Sequence, residues 1–450
     1  MKQLIQNSKT GQFSIEDLPS PICQPNGILV KTINSIISSG TERTSVKTAK
    51  ASILNKARNR PDLVKNVIDS AKNIGIKETL NIVKNRLDTP LQLGYSSSGI
   101  VIEIGNNIDN FTVGDRVACS GGGYASHSEI NYIPKNLAVK IPNNVSFEDA
   151  AYSTIGSIAM QGVRRSGAVI GDTVALIGLG LIGQLTSQIL KASGCRVIGI
   201  DISEFPVQKS MESSIDIAIN SDREDPITKV ESFTNGLGVD KVIITAGSNS
   251  NKPVLLGGNI LRDRGTMVIV GAIPANIPRS PFYEKEITIK FSRSYGPGRY
   301  DKNYEEKGID YPLGYVRWTI KRNMESFLEL VSQKQVQPSI ITTHSFSFEK
   351  IIEAYDLIIK NNKSFLGISI QYKDTNTIKS KIIVNKGIKY QKEKDIRLGF
   401  IGLGKFAEGF LMPELKNNSK IFFQTVANRN SANLKTIMNK YRFKQCTTNY

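Results

Sequence analysis

The sequence predicts an α/β protein with a β-rich first part, a doubly wound parallel sheet, and the start of a second doubly wound unit. Three observations predict this order. Short apolar runs broken by Gly, Pro and Asn continue to about residue 150, and continuous apolar strands then alternate with helices. A new apolar strand follows a Lys-rich segment that begins near residue 373. With 450 residues, the chain is long enough for two or three hydrophobic cores.

The first part contains strands and one helical insertion. The predicted strands are Gly27–Ile33, Gly99–Ile104, Asp115–Cys119 and Ala138–Ile141. Between them, apolar residues recur at helical spacing over 63–74 after Pro61, and Gly75 is placed to end that helix. A second helix is predicted over 80–87. We interpret these apolar stripes as packing surfaces.

The second part alternates strands and helices, as a parallel sheet covered on both faces requires. Its predicted elements are the strands Val174–Ile177, Val197–Ile200, Lys241–Thr245 and Thr266–Val270 and the helix Leu181–Ala192. A polar, aromatic stretch near 293–318 precedes a helix around Met324–Val331. Residues 340–372 then return to short strands around one helix.

The end of the chain begins a new unit. A Lys-rich segment over 373–395 is typical of a linker and ends at the apolar strand Leu398–Ile401. The pattern then indicates a Gly turn, a helix and one more strand. We therefore expect 396–450 to supply two strands, to be a truncated domain, and to be too small to fold independently.

Composition excludes several classes of protein. The net charge is +18, but the basic residues are dispersed and no nucleic-acid motif accompanies them, so no nucleic-acid partner is expected. There is no apolar run long enough for a membrane span and no signal-peptide pattern. The four cysteines are far apart and show no disulfide or metal spacing. We expect a cytoplasmic protein that acts on a small molecule, and homo-oligomer formation stays open.

The run Gly178-Leu179-Gly180-Leu181-Ile182-Gly183 matches the dinucleotide-binding pattern GxGxxG. It follows a buried strand and opens a helix, and Asp201 ends the next strand 21 residues after Gly180. Gly178 permits the tight turn, Gly180 lets the backbone approach a pyrophosphate, and Gly183 lets helix and strand pack closely.

The helix that opens at Leu181 and Ile182 offers its first N–H groups to the phosphates. Asp201 would accept hydrogen bonds from the adenosine ribose and repel a 2′-phosphate, and no Arg follows it directly. The sequence therefore predicts NAD as the cofactor of this domain, bound by Gly178, Gly180, Leu181, Ile182, Gly183 and Asp201.

Residues 1 to about 372 resemble the medium-chain dehydrogenase/reductase superfamily. Besides the fingerprint, Gly114-Asp115-Arg116-Val117 is similar to its GDRV turn, and Gly123–Glu129 is similar to its G-x-A-x-H-x-E segment. The resemblance implies a GroES-like catalytic domain over 1–150, completed by about 325–372, and a Rossmann NAD-binding domain over 151–324. It places His127 in a structural segment.

The sequence departs from the zinc-dependent members of that superfamily. Where they have a catalytic Cys, a His and a third ligand, this chain has Ser39, Tyr95 and a residue near Thr154. Hydroxyl and phenol groups are poor zinc ligands beside thiolate and imidazole. The four-Cys structural zinc lobe is also missing. We therefore expect no metal.

A narrower resemblance is to bi-domain oxidoreductases in which a zinc-free dehydrogenase precedes a Gfo/Idh/MocA-type domain. It is carried by Ser39–Glu42, Lys56–Arg58, Leu93–Gly99, Ser294–Asp301 and Tyr311–Thr319. The first part is also similar to the zinc-free dehydrogenase of bacteriochlorophyll synthesis. The bi-domain group is associated with surface-polysaccharide synthesis.

In the second domain, the resemblance assigns a fingerprint to Gly402-Leu403-Gly404-Lys405-Phe406-Ala407, with Gly402, Gly404 and Ala407 as cofactor contacts. Asn428 stands where an acid is common, with Arg429 beside it, so NAD or NADP stays open there. The catalytic Lys of that family would lie beyond residue 450.

Without a Lewis acid, a side chain must handle the proton that accompanies hydride transfer. The resemblance places Glu42 and Tyr95 around the former metal position, so both are candidate catalytic residues, although each has an equally good interpretation as loop support. The basic, aromatic runs Tyr295–Arg299 and Tyr311–Trp318 would suit an anionic, polyhydroxylated ligand such as a nucleotide sugar.

The predicted function is NAD-dependent, zinc-independent hydride transfer to or from an alcohol or ketone of carbohydrate type. A zinc-free quinone or enoyl reductase and a non-catalytic NAD-binding module are the alternatives.

Overall fold

The computed structural model describes residues 1–38, 40, 42, 61–75, 79, 83, 90–213, 215–360, 364–373, 382–388, 396–404 and 406–449. The sequence Lys56–Arg58 and, apart from Val83, the second predicted helix over 80–87 lie outside these residues.

The first part of the chain is made of antiparallel strands. They are β1 (Lys2–Gln6), β2 (Phe13–Asp17), β3 (Gly27–Ile37), β4 (Leu91–Gln92), β5 (Ser96–Ile104), β6 (Arg116–Ser120), β7 (Ile130–Pro134) and β8 (Ala138–Lys140). Strands β3, β5, β6 and β8 pair in that order, β7 pairs with β3, and β1 lies between β2 and β4 in a separate sheet. The insertion helix α1 (Pro61–Ile74) ends before Gly75, whose φ of 93° favours glycine. The predicted strands and this helix are confirmed, with boundaries shifted by a few residues.

Two helices, α2 (Phe147–Ala150) and α3 (Ser153–Ser166), lead into a six-stranded parallel sheet. Its strands are β9 (Thr173–Ile177), β10 (Arg196–Asp201), β11 (Ile217–Asn220), β12 (Val239–Ile244), β13 (Leu261–Ile269) and β14 (Thr288–Phe291). The strand order is β11-β10-β9-β12-β13-β14, the doubly wound order of dinucleotide-binding domains. The connecting helices are α4 (Leu181–Ala192), α5 (Glu204–Met211), α6 (Pro226–Phe233), α7 (Lys252–Ile260) and α8 (Arg279–Phe282).

Both faces of this sheet are covered, which explains its continuous apolar strands. In β9, Val174 and Leu176 belong to one hydrophobic core, and Ala175 and Ile177 belong to a second core on the opposite face. A strand that is buried on both sides cannot alternate polar and apolar residues.

The chain then returns to the first sheet. After α9 (Lys302–Glu305) and α10 (Ile320–Ser332) come β15 (Thr342–Ser347), α11 (Ile351–Lys360) and β16 (Gly367–Gln371). Strand β16 pairs antiparallel with β3 and parallel with β15, so the β-rich domain is built from both ends of the first 372 residues.

The C-terminal residues form a four-stranded sheet that differs from expectation in two ways. Its elements are β17 (Ile382–Val384), β18 (Ile396–Ile401), a π-helical turn (Ala407–Leu411), α12 (Met412–Leu415), β19 (Ile421–Ala427), α13 (Ser431–Tyr441) and β20 (Gln445–Thr447). The order is β17-β20-β19-β18, and β18, β19 and β20 are parallel. First, part of the expected linker is a strand, because an apolar triplet pairs with the edge of β20. Second, a third parallel strand completes a βαβαβ unit, so the expectation of two strands is wrong.

This C-terminal sheet has its own core and rests on the first domain. Lys435 Nζ lies 2.5 Å from Glu16 Oε2, and Thr448 Oγ1 donates to the Ser20 carbonyl at 2.5 Å. Ala432 packs in a cluster with Leu18. The expectation that this unit is too small to fold independently stays a prediction. In the described part of the chain, no helix has the length and apolar character needed to cross a membrane.

Candidate active site

The turn between β9 and α4 has the geometry that a dinucleotide requires. Gly178 has φ 102°, and a Cβ there would lie 2.5 Å from the Ala246 nitrogen. A Cβ on Gly183 would lie 2.1 Å from the Gly178 carbonyl oxygen, whereas one on Gly180 would meet nothing within 4 Å. The turn is therefore packed on its protein side and open at Gly180, where a pyrophosphate would approach.

Leu181 and Ile182 place the first N–H groups of α4 at this opening. The first helical hydrogen bond joins Gln184 N to the Gly180 carbonyl at 2.9 Å, so the amides before it lie in the uncapped first turn. Their side chains face inward, with Leu181 in the core and Ile182 packed against it. The backbone, and not the side chains, is thus presented to a ligand, which suits a phosphate.

Asp201 lies at the carboxyl end of β10, beside the turn. Its Oδ2 accepts from Leu179 N at 2.7 Å, and its Oδ1 accepts from Ser203 N at 2.9 Å. These two bonds fix the carboxylate at the rim of the crevice. Each carboxylate oxygen has a further lone pair, which leaves acceptors for ribose hydroxyls.

Tyr95 and Thr154, which the sequence resemblance predicts at or near zinc-ligand positions, are in contact. Thr154 Oγ1 donates to the Tyr95 carbonyl oxygen at 3.1 Å, and Gly121 N donates to the same oxygen at 3.0 Å. Ser39, the third position, lies outside the described residues. Among the residues that the structure describes, no group of three His, Cys, Asp or Glu side chains is arranged to hold a metal ion.

Tyr295, in the loop after β14, belongs to the same hydrophobic core against which Tyr95 packs. Its side chain is buried, and burial raises the pKa of its phenol well above the ordinary range, although the positive charge of Arg299 opposes the increase. Tyr295 is therefore a neutral hydroxyl group at physiological pH.

Glu42 occupies a different environment from Tyr95. The Tyr355 hydroxyl donates to Glu42 Oε2, and Glu42 Oε1 lies 3.6 Å from His127 Nε2. His127 Nδ1 is 2.8 Å from Ser35 Oγ, which is 3.1 Å from the Tyr372 hydroxyl. These five side chains form a buried polar chain in the β-rich domain. Tyr355 and Tyr372 belong to one hydrophobic cluster, whereas Tyr95 packs against another. The contacts of Glu42 thus fit a supporting role.

Sequence reasoning missed Ser35, Tyr355 and Tyr372 as partners in this chain. Tyr355 lies 313 residues from Glu42, and Tyr372 lies 337 residues from Ser35. No local spacing signals contacts over such separations. His127 lies in the loop before β7 and is fully buried, which agrees with a structural position.

The second glycine turn is built less tightly than the first. Gly402 has φ 74°, but Cβ atoms on Gly402 and Gly404 would meet no close neighbour. Ala407 packs against the core of its sheet and begins the π-helical turn. Asn428 Nδ2 donates to the Leu403 carbonyl at 3.3 Å, so Asn428 contacts the middle residue of its turn as Asp201 contacts Leu179.

Two domain families match the chain. Residues 65–143 match the alcohol dehydrogenase GroES-like domain, and residues 182–307 match the zinc-binding dehydrogenase domain. Human sorbitol dehydrogenase is 24% identical over 314 residues, covering 63% of this chain and 80% of the human enzyme. D-guloside 3-dehydrogenase of Shigella flexneri is 30% identical over 246 residues, covering 53% of this chain and 65% of that enzyme.

Solved structures agree on the fold. Alcohol dehydrogenase TADH from Thermus sp. ATN1 superimposes with a TM-score of 0.64 at 18% identity, covering 83% of this chain and all of that one. 2R,3R-butanediol dehydrogenase from Bacillus subtilis superimposes with a TM-score of 0.61 at 21% identity, covering 82% of this chain and 99% of that one.

A GroES-like domain, a doubly wound domain and a preformed nucleotide turn define an oxidoreductase that uses a nicotinamide cofactor. More particularly, the two matching domains are those of alcohol dehydrogenases, to which the chain is similar over residues 65–143 and 182–307.

Proposed function

We propose that this enzyme transfers hydride between NAD(H) and an alcohol or ketone group of a carbohydrate without zinc. The observation that carries the proposal is an intact nucleotide turn together with a contact between Tyr95 and Thr154, which the sequence resemblance predicts at or near zinc-ligand positions. The similarity to polyol and D-guloside dehydrogenases supports a polyhydroxylated substrate. A role in surface-polysaccharide synthesis is part of the proposal and rests on the sequence resemblance.

The residues of the crevice fit NAD. Gly178, Gly180 and Gly183 shape the turn, Leu181 and Ile182 supply amides to the pyrophosphate, and Asp201 binds the ribose. A 2′-phosphate would bring a second negative charge against Asp201, which favours NAD over NADP.

The residues predicted at the position of the catalytic zinc in the zinc-dependent dehydrogenases do not fit that metal. Two of its three positions carry a phenol and a threonine hydroxyl, and the third is Ser39 in the sequence. We therefore assign the proton to a side chain, and Tyr95 is the candidate because the resemblance places it there and its carbonyl oxygen accepts from Thr154 Oγ1. The bound nicotinamide supplies the hydride chemistry. Tyr95 would donate a proton to the substrate oxygen during ketone reduction and accept one during alcohol oxidation.

Glu42 would act as a positioning residue. Its carboxylate accepts from the Tyr355 hydroxyl and faces His127, so it ties these two side chains together in the β-rich core. The predicted catalytic role of Glu42 is retained only in this indirect form.

The test is a screen of sugar alcohols, D-gulosides and nucleotide sugars for NADH formation or consumption. We expect the wild type and Tyr283→Phe, whose exposed tyrosine lies outside the site, to turn over one of them equally. Tyr95→Phe should lower kcat by about 10²-fold or more, as expected for loss of a general acid–base group. Unchanged kcat in Tyr95→Phe would remove Tyr95 from the mechanism, and turnover of quinones or enoyl substrates alone would favour the reductase alternative.

We also propose that the C-terminal unit is a Gfo/Idh/MocA-type domain whose turn Gly402–Ala407 binds a second nicotinamide. Its parallel β18, β19 and β20 supply the βαβαβ unit that a mononucleotide-binding half needs. Asn428 carries no negative charge at the ribose position, and Arg429 follows it, so either NAD or NADP is compatible. Equilibrium dialysis that counts bound NADH and NADPH in wild type and in Gly404→Val tests this. We expect the variant to lose one bound nucleotide per chain, and one nucleotide in both proteins would contradict the proposal.

A further inference from the structure

A cavity of about 430 Å³ lies beside the edge strand of the parallel sheet, away from the nucleotide turn. Helix α3 contributes Gln161 and Arg165 to its wall, and β14 contributes Phe291. The loop between β14 and α9 supplies most of the rest, including Arg293 and Arg299, and Tyr311 beyond α9 completes the wall. In the sheet, β14 is three strands from β9, which corresponds to about 14 Å at the usual strand spacing. The phosphates of a nucleotide at Gly178–Gly183 therefore do not occupy this cavity.

The loop that lines the cavity is held in one conformation. Gly296 and Gly298 have φ values of 113° and 104°. A Cβ at Gly296 would lie 2.7 Å from Asn323 Nδ2, and one at Gly298 would lie 2.5 Å from the Tyr304 ring. Asn323 Nδ2 also donates to the Tyr295 carbonyl at 3.2 Å. The cavity is thus built by the fold before any ligand binds.

Positive charge dominates its wall. Three guanidinium groups, from Arg165, Arg293 and Arg299, face one carboxylate, that of Asp301. The Tyr300 ring lies between two of them, 4.5 Å from the Arg293 guanidinium carbon and 4.1 Å from that of Arg299.

The single carboxylate of the wall is already engaged. Asp301 Oδ2 accepts from the Tyr311 hydroxyl at 2.6 Å, and Oδ1 accepts from Asn303 N at 2.9 Å. The hydrogen bond from Tyr311 is the main reason that the pKa of Asp301 lies below its ordinary value. Asp301 is therefore ionised, and with Glu305 paired to Arg299 the three guanidinium groups still exceed the nearby carboxylates by one.

Arg299 has donor capacity that the protein does not use. Its Nη1 pairs with Glu305 Oε1 at 2.7 Å, but its Nε is buried and has no hydrogen-bond partner in the described part of the chain. A buried unpaired donor is costly unless a ligand accepts from it. Guanidinium groups pair especially well with phosphoryl oxygens.

We propose that this cavity is a phosphoryl-binding subsite that holds a phosphorylated sugar by its anionic group. Arg165, Arg293 and Arg299 would bind the phosphoryl oxygens, and Gln161 and Asp301 would bind neighbouring hydroxyls. The Arg299 guanidinium carbon lies 5.4 Å from the centre of the Tyr295 ring, and Tyr295 belongs to the hydrophobic core against which Tyr95 packs, so the anchored sugar would extend toward the hydride-transfer site. This placement rests on the proposed function, whereas anion binding itself does not.

The experiment is isothermal titration calorimetry of inorganic phosphate and inorganic pyrophosphate into protein saturated with NADH, which blocks the nucleotide turn. The variants are Arg293→Gln and Arg165→Gln. Both arginines are exposed, so we expect the protein to fold normally after either substitution. The matched control is Arg264→Gln, an exposed arginine that pairs with Glu286 at the other end of β13. We expect each cavity variant to weaken anion binding about tenfold, as for loss of one charge-assisted contact, and the control to match the wild type.

Tighter binding of phosphate than of pyrophosphate would identify a sugar monophosphate, and the reverse would identify a nucleoside-diphosphate sugar. Absence of anion binding by the wild type, equal affinities in the cavity variants, or equal weakening in Arg264→Gln would overturn the subsite. Because the heat of binding is measured without turnover, a failed sugar screen beside intact anion binding would refute the proposed function and leave the subsite standing.

Discussion

Replacing Asp201 tests the assignment of NAD at the first turn. Asp201 is held at the crevice by Leu179 N at 2.7 Å and Ser203 N at 2.9 Å. We expect the wild type to bind NADH much more tightly than NADPH, and Asp201→Ser to narrow that difference. Asp201→Asn is the matched variant, because it removes the charge and keeps one acceptor for Leu179 N.

The size of the effect follows from Coulomb's law. Two unit charges about 4 Å apart repel by about 4 kcal/mol at an effective dielectric constant of about 20, and by about 2 kcal/mol at about 40. Asp201 is half-buried at an open crevice, so we use the smaller value. It corresponds to about 30-fold discrimination against a 2′-phosphate. Loss of the ribose hydrogen bonds to a charged acceptor would weaken NADH binding by a further ~1.5–3 kcal/mol.

The assay is fluorescence titration of NADH and NADPH into the wild type and both variants. Asp201→Ser should gain affinity for NADPH and lose affinity for NADH. Asp201→Asn should gain NADPH affinity with a smaller loss for NADH. Asp222→Ser, which removes an exposed carboxylate from the loop after β11, should behave as the wild type. Equal wild-type affinities for the two cofactors would refute the role given to Asp201.

Gly183→Ala should lower Tm and abolish NADH binding, because its Cβ would lie 2.1 Å from the Gly178 carbonyl oxygen. Differential scanning fluorimetry checks this against Gly180→Ala, which should keep its Tm and still weaken NADH binding because it fills the opening of the turn. Equal Tm values for both variants would contradict the packing argument. Limited trypsin digestion without cofactor should cut within 373–395 and leave a resistant core that ends near residue 372, because the last sheet depends on its contacts with the first domain. Mass spectrometry that instead finds a protected C-terminal fragment would show that the last sheet is stable by itself.

The fold could be predicted where a pattern repeats over many residues. The strand β9 and helix α4 follow from a continuous apolar run and a glycine turn, and the helix bounds Leu181–Ala192 match those predicted. The short strands β17 and β20 were missed because each has only three residues. Such strands form because a neighbouring strand offers free backbone groups, and three residues carry no detectable periodicity.

The candidate site could be predicted in part for the same reason. The nucleotide turn is a local motif, so its residues are adjacent in sequence and in space. The surroundings of Glu42 come from α11, β3 and the loop before β7. No sequence pattern indicates that these distant segments contact one another. The resemblance placed Glu42 and Tyr95 around one position, and the structure gives Glu42 contacts with Tyr355 and with His127, whose ring lies against Gly94.

The central claim is hydride transfer without zinc, and activity after metal removal tests it most directly. The protein would be stripped with chelator, its metal content measured by mass spectrometry, and NADH formation followed with the sugar found in the screen. The account predicts far less than one zinc per chain before stripping and the same rate afterwards. About one zinc per chain, with activity that is lost on stripping and restored by Zn²⁺, would contradict it.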